Sequence, residues 1–77
     1  MADRKIVVRL AYDDEAKVWW TESSTLFGVN AEAGTLDEMR AKLPQVVVDM
    51  IEANEPDLLS SNVELEIVVP TPLPAAA

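Results

Sequence analysis

One stretch of this sequence has the period of a helix, and it stands among stretches that have the period of a strand. It opens at Thr35-Leu36-Asp37-Glu38, a capping box in which the Thr hydroxyl and the Glu carboxylate each satisfy an amide that a helix start leaves unpaired. At about 100° per residue, Leu36, Met39, Leu43, Val46, Val47, Met50 and Ile51 fall on one apolar stripe. Asp37, Glu38, Lys42, Gln45, Asp49 and Glu52 fall opposite. Pro44 lies inside this pattern without a backbone donor, but the apolar phase continues past it, so a kinked helix is expected, with two helical segments as the alternative. A single helix can cover only one face of a sheet. Whatever sheet this chain builds must therefore leave its other face open.

The strands follow from alternation. In Lys5 to Tyr12, Ile6, Val8, Leu10 and Tyr12 take one side and Lys5, Val7, Arg9 and Ala11 the other. Asp13-Asp14-Glu15-Ala16 breaks the pattern as a turn, and Lys17 to Glu22 resumes it, which makes a hairpin. Ser23-Ser24-Thr25 marks a second reversal before a short third strand, Leu26 to Glu32, in which Gly28 is expected to mark a bulge. After the helix ends at Asn54-Glu55-Pro56, a polar connection over 57–62 leads to a fourth strand, Val63 to Val69. The expected fold is α+β: a two-layer β-β-β-α-β domain with a four-stranded mixed sheet. A right-handed crossover puts the fourth strand beside and parallel to the first, in spatial order 3-2-1-4. One domain is expected over residues 1–69 and a flexible Pro/Ala-rich tail over 70–77.

The open face has a consequence for Trp19 and Trp20. Neighbours on a strand point to opposite sides, so one of the two must face away from the helix. Which one depends on whether the hairpin loop has three or four residues, because a slip of one residue exchanges the faces. The outward tryptophan, near Val7, Arg9, Ala11 and Val68, is expected to form a self-association patch. The alternative is a ring lying functionless against the stem of Arg9.

The net charge of −8 argues against attraction to nucleic acid phosphate or an anionic membrane. Its distribution is uneven. Residues 1–42 hold 6 basic and 8 acidic side chains, whereas 43–77 hold no basic residue and the acids Asp49, Glu52, Glu55, Asp57, Glu64 and Glu66. A surface of one sign steers a basic partner, although acidic helices and edge strands also serve solubility alone. The chain has no Cys and no His, so it lacks a disulfide, a thiolate nucleophile, an imidazole ligand and a histidine-assisted triad. Asp13-Asp14-Glu15 lacks the alternate-position acids and glycine of a calcium loop and reads as a solvated turn. Neither a metal nor a cofactor is expected. The N-terminal residues show no signal peptide or membrane span, so a cytoplasmic location is expected.

The order of elements, the turn Asp13-Asp14-Glu15-Ala16, the aromatic run Val18-Trp19-Trp20, Leu26-Phe27-Gly28 before Glu32-Ala33, and Thr35-Leu36-Asp37-Glu38 together resemble HicB-like domains over about Ile6 to Glu55. These are the antitoxin side of bacterial toxin-antitoxin pairs, and the resemblance is to their small stand-alone members. Phe27 stands where that family usually has Pro, and Gly34 where it often has an acid. The resemblance implies a degraded ribonuclease-H-like fold without catalysis, and strand one indeed has no acid between Lys5 and Tyr12 to hold magnesium. It also implies binding to a small basic ribonuclease toxin. The family's C-terminal DNA-binding segment has no counterpart after Val69, so direct DNA or RNA binding is not expected. The expected function is thus a non-enzymatic interaction domain, homodimeric, that neutralises a basic toxin-like partner. The alternative is an orphan homo-oligomeric structural or regulatory protein with no toxin partner.

Overall fold

The computed structural model describes residues 4–70. Strand β1 (Arg4–Asp13) lies inside the sheet, flanked by β2 (Val18–Ser24) and β4 (Val63–Val68), and β3 (Glu32–Ala33) extends the β2 side. The order is β3-β2-β1-β4, with β2 antiparallel to both β1 and β3 and β4 parallel to β1. This is the mixed four-stranded α+β arrangement expected from alternation and crossover. The sheet's core-facing residues Ile6, Val8 and Leu10 are buried beneath helix α1 (Leu36–Asn54), which contributes Met39, Leu43, Val47 and Ile51. Leu36, Val46 and Met50, the remaining stripe residues, pack partly buried against the same cluster. Burying a side chain of this kind contributes about 1.5–3 kcal/mol, so the stripe supplies most of what holds the helix down.

Thr35 caps α1 as its residue type demands: its hydroxyl accepts from the Glu38 amide at 3.1 Å. The helix runs through Pro44 as one element, so the two-segment alternative is not adopted. Packing of Leu43 and Val47 on either side of the proline offsets its missing hydrogen bond.

Three expectations need correction. The third strand is not Leu26 to Glu32 but only Glu32–Ala33. Leu26-Phe27-Gly28 instead forms a turn, with Gly28 at φ +87° and the Leu26 amide donating to Ser24 Oγ at 3.0 Å. Leu26 and Val29 enter the core from this turn rather than from a strand. Buried Thr21 secures the segment that follows, its Oγ1 accepting from the Ala31 amide at 3.1 Å. Gly28 therefore serves a turn, and the sheet irregularity lies elsewhere, between Arg9 and Leu10, where Arg9 pairs with Ser23 but Leu10 with Thr21. Finally, the connection after α1 is a 3₁₀ turn, Pro56–Ser60, that buries Leu58. The proposed tail, from Thr71 on, lies outside the described residues.

Candidate functional site

The hairpin decides the faces. Asp13 pairs with Val18, leaving a four-residue loop, Asp14 to Lys17. Asp13 Oδ1 accepts from the amides of Glu15 (2.9 Å) and Ala16 (3.2 Å), the Lys17 amide donates to the Asp13 carbonyl at 2.7 Å, and Lys17 takes φ +59°. The carboxylate of Asp13 is thereby engaged in building the turn. Among the described residues no three acids gather in a way that could hold a metal ion.

With that loop length Trp19 stands opposite Tyr12 and Ala33, on the helix side, its ring 5.2 Å from that of Tyr12 at 58°. Trp20 stands opposite Ala11 and Glu32 on the open side and is 40% exposed. Registered pairs share a face, so Lys5, Val7, Arg9, Glu64, Glu66 and Val68 belong with Trp20. The self-association residues named from sequence thus divide: Trp20, Val7, Arg9 and Val68 lie on the open face, whereas Trp19 packs against the core. Arg9 Nε donates to Glu22 Oε1 at 3.0 Å and Lys5 Nζ to Glu66 Oε1 at 3.2 Å. Both pairs are about half exposed, where such pairs contribute roughly 0–1 kcal/mol.

The six acids also divide. Asp49 and Glu52 are exposed on α1, Glu55 is its C-cap, and Asp57 opens the 3₁₀ turn. Glu64 and Glu66 occupy the open face of β4, beyond the sheet from the helix, and Glu66 is paired. The first four follow one another along the end of α1 and the 3₁₀ turn, and the last two lie on the other side of the sheet.

A feature that strand and helix periodicity did not reveal is an apolar groove of about 390 Å³ between the second half of α1, the 3₁₀ turn and the start of β4. Val47, Ile51, Leu58, Val63 and Leu65 form its floor, and Pro44, Val48 (36% exposed) and Leu59 (46% exposed) its lips. The doublet Leu58-Leu59 in an otherwise polar connection is the one sequence signal that could have indicated it. Phe27, 84% exposed at the tip of the Leu26–Gly28 turn, is a second apolar side chain whose exposure the strand reading concealed.

These features define a two-layer α+β domain with one covered and one open sheet face, and no helix among the described residues is long and apolar enough to cross a membrane. The chain belongs to the family described as a domain of unknown function (DUF1902), whose model matches residues 5–73. Among solved structures it is similar to a hypothetical protein of the extremely thermophilic bacterium Thermus thermophilus, at 38% identity and a TM-score of 0.80, over 94% of this chain and 100% of that one. Comparison with curated proteins gives no match. No HicB family model matches, so membership of the HicB-like domains is not shown.

Proposed function

We propose that this chain is a non-enzymatic protein-interaction domain of HicB-like antitoxin type, which binds and neutralises a small basic, ribonuclease toxin-like protein in the cytoplasm. The observation that carries the reading is the uncompensated acidity of the second half. Asp49, Glu52, Glu55 and Asp57 are all exposed, residues 43–77 contain no Lys or Arg, and no ion pair among the described residues reaches these four. Concentrating like charge weakens a fold, and a basic partner would relieve that repulsion while associating faster. The absence of Cys and His from the sequence supports a binding rather than a catalytic role.

Affinity capture with the full chain in its own cells tests this. One protein of net positive charge should co-purify in near-equal amount, dissociate at high salt, and lose ribonuclease activity when this chain is added. Recovery of no basic protein removes the reading, and a basic partner that does not cleave RNA removes its toxin component. The second reading, an orphan homo-oligomeric structural or regulatory protein, is favoured by Trp20, 40% exposed opposite Ala11 on the open face that also carries Val7 and Val68. A stable dimer without a basic partner would select it.

A further inference from the structure

The groove beside α1 combines two features that a folded chain does not need for itself. Its lips leave Val48 and Leu59 partly in water, although the floor beneath them is closed by buried Val47, Ile51 and Leu58. One end of the groove also lies by the C-terminus of a helix, where the acids Glu52, Glu55 and Asp57 stand next to lining residues in the chain without lining the groove themselves. Helix C-termini carry partial negative charge and favour Lys or Arg in the last turn. Here the last turn has no basic residue. Glu52 lies one turn beyond Val48 on the same flank, Glu55 caps the helix, and Asp57 precedes Leu58 and Leu59. Among the described residues, the cations nearest the groove make no ion pair with these acids. Arg40 lies one turn before Pro44, toward the other end of α1, and Arg4 is registered with Val63 at the start of β4. The other helical cation, Lys42, donates to the Glu32 carbonyl at 2.7 Å.

We infer that this groove docks a basic amphipathic segment of a partner protein: an apolar side chain of leucine or phenylalanine size between Val48 and Leu59, with a Lys or Arg over Glu52, Glu55 and the end of α1. The inference rests on the basic-partner reading and adds its address. Apolar burial supplies affinity at the centre of such a contact, and the charges around it set orientation and on-rate. On the open sheet face Lys5 and Arg9 pair with Glu66 and Glu22, which offsets two of that face's four acids, whereas the acids at the end of α1 have no ion pair among the described residues.

The test uses a short amphipathic leucine-lysine helix as probe, with a leucine-glutamate helix as control, titrated into the labelled full chain and followed by amide chemical shifts. The lysine probe should shift amides over residues 44–65 and bind about tenfold more weakly to Leu59→Ser and to Glu52→Lys, a loss of about 1.4 kcal/mol. The glutamate probe should not bind. Leu59 and Glu52 are exposed, so both variants should fold, which thermal melts check. Shifts centred on Trp20 and Glu32, or affinity unchanged in both variants, would overturn the groove while leaving a basic partner in place. Failure of the lysine probe to bind at all would also overturn the groove, whereas the basic partner itself is removed only by affinity capture that recovers none. Self-association lost in Leu59→Ser would instead assign the groove to a second copy of the chain.

Discussion

Gly28 and Lys17 both occupy the left-handed region, and they show how unevenly residue type and backbone requirement agree. At Gly28, φ is +87° and a Cβ would lie 2.7 Å from Met50 Sδ. The Asn54 side chain donates from Nδ2 to the Phe27 carbonyl at 3.2 Å and ties this turn to the end of α1, so the turn cannot relax freely. Gly28→Ala should therefore cost about 1–3 kcal/mol, the left-handed penalty plus displacement of a flexible thioether. Urea denaturation with an unchanged m-value would check it. Lys17 has the opposite mismatch: φ +59° on a residue with a Cβ. Lys17→Gly should stabilise by about 0.5–1 kcal/mol, a rise of roughly 2–8 °C in Tm, provided that the loop keeps its four residues. A fall in Tm would mean that the Lys17 side chain makes a stabilising contact. Sequence marked Gly28 as special but placed it in a strand, because glycine serves bulges and turns alike.

Among the elements, α1 was the most legible. The Thr35 half of its capping box and its seven-residue stripe appear where they were read, because both depend on spacing within a few turns. Pro44 was legible as a disturbance but not in its outcome. An interior proline costs about 3 kcal/mol in isolation, yet here the helix is held by the buried residues on either side. Pro44→Ala should raise stability by about 1–3 kcal/mol in thermal or chemical melts, restoring a donor to the helical ladder. Little or no gain would indicate that the groove lip depends on the proline ring. The short third strand was illegible for a different reason. Leu26, Phe27, Val29 and Ala31 give the stretch the apolar content of a short strand, but Thr21 and Ser24 side chains take the amides of Ala31 and Leu26. Side-chain bonds of this kind redirect the backbone without leaving a periodic trace.

For the whole molecule, the open sheet face presents Trp20, and the expected consequence is a dimer. Sedimentation velocity at increasing concentration should show self-association that Trp20→Ser abolishes, with only a small change in Tm because the ring lies outside the core. A monomer at high micromolar concentration would leave Trp20 without that role.

The sequence alone determined how many faces the sheet would cover. Periodicity is local, so it disclosed one helix, its apolar stripe, and the strand order that one crossover allows. It followed that one of two adjacent tryptophans points outward, and that the excess acid lies after Leu43. Only the tertiary structure decided which tryptophan, because the choice rests on Lys17 entering the left-handed region to close a four-residue loop. It likewise parted Glu64 and Glu66 from the other acids, since the sheet intervenes between β4's open face and the helix. The groove too required the fold. Its lining comes from a helix, a 3₁₀ turn and a strand that meet only after the chain has reversed, and no period in the sequence encodes a contact between segments so differently built.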